Sequence, residues 1–152
     1  MDKRYIRRIV LIALLLAVGH GSLRAQAQTI FARVRSAMEA QEVGWTLDRT
    51  RQRDNEFFQR WVNRAENIGI TFEQLASQTA AKKWLDEKPL TISVGGGRAV
   101  AGVGDAALVW ARTTTDGTAA LYFRKGSAVV RVSAPSETIA IRIGQLVAAE
   151  IY

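Results

Sequence analysis

Three features of this 152-residue chain predict an α+β fold: an antiparallel sheet with helices packed on one face, its elements ordered helix, strands, helix, strands, helix. Apolar residues recur at helical spacing in separated stretches near the start, middle and end. Between them lie alternating runs joined by turns too short to make parallel crossovers. The apolar content is 48% with only two prolines, which suits a packed globule, and the length leaves room for a single core.

Between Thr29 and Gln41 the apolar residues Ile30, Val34, Ala37 and Met38 form a stripe with Arg33, Arg35 and Glu39 off it, so this segment is an amphipathic helix ended by Gly44. Trp45-Thr46-Leu47 opens an extended stretch whose partner is Glu56 to Asn63, with Asp54-Asn55 in the turn. From Phe57 to Glu73 two periods compete. Phe58, Trp61, Val62 and Ala65 fit a helix, whereas Ile68, Ile70 and Phe72 alternate as a strand does. Strands are preferred, because Arg64-Ala65-Glu66-Asn67 reads as a turn and Gly69 inside a helix would cost about 1 kcal/mol relative to Ala.

Ser77 is placed to cap a helix from Gln78 to Glu87, which Pro89 stops. After Ile92-Ser93-Val94 comes a glycine-rich stretch from Gly95 to Asp105, then strands at Ala107 to Arg112, Ala119 to Arg124 and Ala128 to Ser133. Asp116-Gly117 and Lys125-Gly126 supply their turns, the second tight enough for a hairpin. A last helix starts near Pro135-Ser136-Glu137 and carries the stripe Ile139, Ile143, Leu146, Val147 and Ile151.

Residues 1–27 have the parts of an export signal. Lys3, Arg4, Arg7 and Arg8 come first, then an uncharged run from Ile9 to Val18, then Gly19 and Gly21, then Ala25-Gln26-Ala27 as a small-residue cleavage site. That run is about half of the roughly 20 residues a membrane-spanning helix needs. The expectation is a signal peptide over 1–27, cleaved after Ala27, and one α+β domain over 28–152. An alternative keeps residues 6–23 as an uncleaved membrane anchor. Without residues 1–27 the chain has 16 basic and 13 acidic side chains, a net +3 in place of +7. Most of the basic character therefore belongs to the signal, and nucleic acid is not expected as a partner.

The single histidine, His20, also lies in the signal, and the chain has no cysteine. The domain is thereby closed to serine-histidine-acid triads, cysteine nucleophiles, histidine-ligated zinc and disulfides. No cofactor and no metal are expected. Gly102-x-Gly104-x-x-Ala107 matches a dinucleotide fingerprint in letters only, since a strand follows where a helix is needed, and no Asp/Asn-rich loop has calcium-site spacing.

Gly102-Val103-Gly104-Asp105-Ala106-Ala107, followed by Leu121-Tyr122-Phe123-Arg124-Lys125-Gly126, the alternating run from Val129 to Val132 and a terminal helix, resembles a pattern seen in exported bacterial domains of unknown function. These include lipoproteins and kinase-sensor-like modules. The likeness spans about residues 90 to 151, and the chain departs from many of them in having no cysteine to lipidate or oxidise. It implies an extracytoplasmic α+β module without established catalysis.

Among individual residues, Arg49, Arg51 and Arg53 are two apart and project to one side of an extended chain, making a cationic stripe for carboxylates, acidic polysaccharide or anionic lipid. Trp45, Trp61, Trp84 and Trp110, with Tyr122, offer ring faces to a sugar or peptide, Trp61 and Trp110 being the leading candidates, although small cores also consume large aromatics. Asp105 has two readings, a turn residue beside Gly102 and Gly104 or a carboxylate in a cleft.

The expected function is a secreted or periplasmic, bacterial, non-catalytic binding or accessory module of the cell envelope, acting on an envelope protein, polysaccharide or anionic lipid. A hydrolase or lyase working through carboxylates and arginine is the alternative, and convergence of two carboxylates in a cleft would favour it.

Overall fold

The computed structural model describes residues 23–88, 97–111 and 117–152. The start of the expected signal, Pro89, Ile92-Ser93-Val94, Gly95-Gly96, Arg112 and Asp116 lie outside the described residues.

Helix α1 occupies residues 23–41 and buries Ala27, Ile30, Val34, Ala37 and Met38, so the predicted stripe is present and extends towards the N-terminus. Gly44, with φ +94°, takes the left-handed conformation that turns the chain out of the helix. Three strands follow as a meander: β1 (Thr46–Arg53), β2 (Glu56–Asn63) and β3 (Glu66–Gln74). The ambiguous stretch thus resolves as a hairpin, with only Arg64-Ala65 in its turn. Helix α2 (Gln78–Asp86) begins as expected, the Ser77 hydroxyl accepting the Ala80 N–H at 3.1 Å.

A second meander comprises β4 (Arg98–Ala99), β5 (Ala106–Trp110), β6 (Ala119–Lys125) and β7 (Ala128–Ala134), and helix α3 (Glu137–Ala149) closes the chain behind the Ser136 cap. The two-residue β4, inside the glycine-rich stretch, is an element that alternation does not reveal.

The strands form one seven-stranded antiparallel sheet ordered β1-β2-β3-β7-β6-β5-β4, so the two meanders meet through their last strands. On the inner face, α1 packs on the first meander, with the Phe31 and Phe57 ring centroids 5.4 Å apart. Trp61 Nε1 donates to Gln59 Oε1 at 3.0 Å, and Gln59 Nε2 donates to the Phe31 carbonyl at 3.0 Å. The fully buried Gln59 is satisfied at both ends by that chain, which anchors α1 to the sheet. Helix α3 covers the second meander, and Arg33 Nη2 of α1 donates to the Glu150 carbonyl at 2.6 Å.

The α+β class, the antiparallel sheet and the element order agree with the sequence. The placement of helices on one face holds for α1 and α3 and needs correction for α2. Leu85 of α2 packs with Trp110, Ala120 and Tyr122, whose side chains leave the sheet opposite to Ala119, Leu121 and Phe123 of the core. The second meander places apolar residues on both its faces, and an apolar outer patch requires its own cover.

Candidate functional site

Helices cover three of the four half-faces of the sheet: α1 and α3 inside, α2 over the outer side of the second meander. The outer side of β1, β2 and β3 has no helix over it among the described residues, and the candidate site lies there.

Strand register builds its floor. Arg53, Glu56, Glu73 and Val129 line up across β1, β2, β3 and β7. The next row is Arg51, Phe58, Thr71, Arg131 and, on β6, Tyr122. A third row is Arg49, Arg60, Gly69 and Ser133. Three depressions run along these rows and share walls. The central one, about 430 Å³, is lined by Arg51, Phe58, Thr71, Glu73 and Arg131 and walled by Trp84, Lys88 and Tyr122. At one end Arg51, Glu56 and Glu73 also line a depression of about 330 Å³ with Arg53. At the other, Phe58, Thr71 and Arg131 also line one of about 230 Å³ with Arg60, Asn67, Gly69 and Ser133.

A bulge in β1 aims the arginines. Leu47 pairs with Trp61 on the core side and Arg49 pairs with Arg60 on the outer side, although residues two apart normally share a face. The register shifts between them, and Asp48, the extra residue, lies 3.6 Å from Arg60 Nε in an ion pair. Beyond the shift Arg49, Arg51 and Arg53 share the outer side, as their spacing predicts. Arg51 and Arg53 line the groove; Arg49 does not.

Arg51 Nη2 sits 3.4 Å from Glu56 Oε1, and its guanidinium carbon is 5.7 Å from the centre of the Phe58 ring. Glu73 stands opposite Glu56. Partial burial, and secondarily the Glu56 charge, raise the Glu73 pKa, while Lys88 pulls it the other way. Burial lowers the Lys88 pKa against the pull of Glu87 and Glu73, and the charge on Arg131 lowers it further. Lys88 Nζ lies 4.1 Å from the centre of the Trp84 ring, and that ring is 5.8 Å from Tyr122.

The other sequence candidates lie elsewhere. Trp61 is fully buried on the inner face as part of the core. Trp110 points to the outer face but is sealed beneath α2, nearly perpendicular to Tyr122 at 5.4 Å, and its buried Nε1 meets no acceptor among the described residues. Trp45 packs partly buried against the core. Asp105 is a turn brace: its Oδ2 accepts the Gly126 N–H at 2.8 Å and Arg124 Nη1 at 3.1 Å, while Gly102 and Gly104 hold φ of +76° and +58° beside it. Ala25 is exposed and Ala27 buried on α1, which runs unbroken through the predicted cleavage point.

Glu56, Glu73, Arg60, Thr71, Lys88 and Arg131 are groove residues that sequence reasoning did not single out. Alternation marks Thr71, Glu73 and Arg131 as outward members of their strands, but their convergence depends on pairing β3 with β7 across a long stretch of chain.

A larger depression, about 810 Å³, follows the exposed side of α1, but Arg33 and Glu150, the charged residues in its lining, are paired with each other. Among the described residues no group of three His, Cys, Asp or Glu side chains could hold a metal, and no helix is long and apolar enough to cross a membrane. Comparison of the chain with protein-family models, curated proteins and solved structures yields no match.

Proposed function

We propose that this chain is an extracytoplasmic, non-catalytic binding module of a bacterial cell envelope and that its ligand is an acidic polysaccharide lying along the outer groove. The observation that carries this reading is the continuity of the three depressions, which suits an extended polymer better than a compact metabolite. Their lining mixes the donors and acceptors a uronic-acid chain requires. Arg51, Arg53 and Arg131 present guanidinium to carboxylates; Glu56 and Glu73 accept from sugar hydroxyls; Trp84 and Tyr122 supply apolar edges. The cationic start of the chain and its Ala-x-Ala site support export.

Titration of the full chain with an oligouronate, followed by Trp fluorescence and calorimetry, tests the proposal. Saturable binding is expected, with a loss of about tenfold in Arg51→Ala/Arg53→Ala and little change in fold stability. Equal affinity in the double variant, or no binding at all, would overturn it.

A second reading, a hydrolase or lyase, is favoured by one observation: two carboxylates, Glu56 and Glu73, face each other in a groove, and partial burial raises the pKa of Glu73. Release of new reducing ends from a polysaccharide, abolished by Glu73→Gln, would replace the binding reading with this one.

A further inference from the structure

The end of the groove on β2, β3 and β7 differs from the rest in having cations and neutral donors but no carboxylate in its lining. Arg60 and Arg131 come from the strands on either side of β3. Between them β3 contributes Gly69, directly opposite Arg60 on one side and Ser133 on the other. A glycine here adds no side chain between the two long ones, and the position its Cβ would take is bordered by the Phe58 ring edge at 3.4 Å and the Ser133 Cβ at 3.9 Å. The Thr71 and Ser133 hydroxyls and the Asn67 amide complete the rim.

The Nε atoms of both arginines are buried and find no hydrogen-bond partner among the described residues. The Arg131 guanidinium lies 5.7 Å from the Tyr122 ring centre and its charge is felt by Lys88, and Arg60 has the 3.6 Å ion pair with Asp48, beyond hydrogen-bond length. Two guanidinium side chains of like charge line one depression, and the Nε of each has lost its hydration. An anion between them reverses both penalties.

From this geometry we infer that the cluster Arg60, Asn67, Gly69, Thr71, Arg131 and Ser133 is an oxyanion site for a phosphoryl group. A planar carboxylate is satisfied by the fork of one arginine, whereas donors arriving from opposite sides, with hydroxyls between, match an anion with oxygens in several directions. The inference goes beyond the polysaccharide reading: it concerns one of the three depressions of that groove and rests on the buried Nε atoms of Arg60 and Arg131, which that reading does not use.

Calorimetric titration of the full chain with inorganic phosphate, at constant ionic strength set with chloride, tests it. Saturable binding is expected, weakened about tenfold or more in Arg131→Gln and in Arg60→Gln, and weakened less in Arg131→Lys, which keeps the charge and loses the fork. Circular dichroism on each variant separates lost binding from lost fold. Co-sedimentation with phosphatidylglycerol vesicles against phosphatidylcholine vesicles identifies the source. Preference for phosphatidylglycerol that phosphate competes away, and that Arg60→Gln removes, assigns the site to a lipid headgroup; phosphate binding without vesicle binding assigns it to a soluble phosphate ester. Phosphate heats indistinguishable from chloride, or unchanged in both glutamine variants, would overturn the inference. Arg51→Ala/Arg53→Ala leaves phosphate binding intact if the two sites are distinct, so failure of the polysaccharide reading and failure of this one are separately visible.

Discussion

The two faces of the first meander are made from the same strands by alternate residues, yet they solve opposite problems. Inside, Phe57, Trp61, Ile68, Ile70 and Phe72 are almost completely buried under α1, and even the polar Gln59 has a partner at each end of its amide. Outside, Arg51, Phe58, Thr71 and Glu73 lie partly open, Glu73 faces a like charge, and Arg60 keeps a buried Nε without a hydrogen bond. The inner face spends its residues on stability. The outer face holds charge arrangements that cost stability, and groups held in that state are the ones a ligand can satisfy.

The largest expected effect tests whether that division is real. Trp61→Ala opens a cavity beneath α1 and removes the donor to Gln59, so urea denaturation should show a loss of about 3–5 kcal/mol. Trp84→Ala, whose half-buried ring lies on the outer side, should lose only about 1–2 kcal/mol. Equal losses would mean that the outer face is a second core and not a site.

A smaller effect is expected where α3 meets the sheet. A side chain at Gly144 would collide with Leu121 and press on Val103. Alanine at this position gains about 1 kcal/mol of helix propensity but overpacks a closed contact by about 1–3 kcal/mol, so Gly144→Ala should lower the melting temperature. A rise would show that the inner face has slack.

The smallest effect concerns charge. Because folding raises the Glu73 pKa, its ionised form opposes the fold: the penalty is absent below the ordinary value of 4.5 and develops as pH rises through the folded value. Glu73→Gln should therefore melt slightly higher than the native chain near neutral pH, and the advantage should vanish in acid. An advantage independent of pH would place its origin outside the carboxylate.

Particular elements show how far the sequence carries. The boundaries of β2 at Glu56 and Asn63 and the Ser77 cap are legible because turn residues and capping hydroxyls act within a few positions of themselves. Asp105 is legible as a turn residue for the same reason, and the structure gives it the backbone N–H of Gly126. The two-residue β4 is not, because so short a run has no period to detect. The tryptophans divide by environment. Trp61, Trp84 and Trp110 are chemically identical candidates, and only the positions of α1 and α2 decide that the first two are core and groove wall and the third is sealed.

By itself the sequence determines the helices and every strand but β4, the shared side of Arg49, Arg51 and Arg53, and the chemistry closed to a chain without cysteine. These follow from local period, local turn chemistry and side-chain inventory. Tertiary structure decides which half-face stays open, that α2 crosses to the outer side, that the β1 bulge turns its arginines away from the side of Leu47, and that Arg60 and Arg131 flank Gly69. The physical reason is the union of β3 with β7: register between strands far apart in the chain is set by how both meanders bury their apolar residues together, and only that register brings the groove residues side by side.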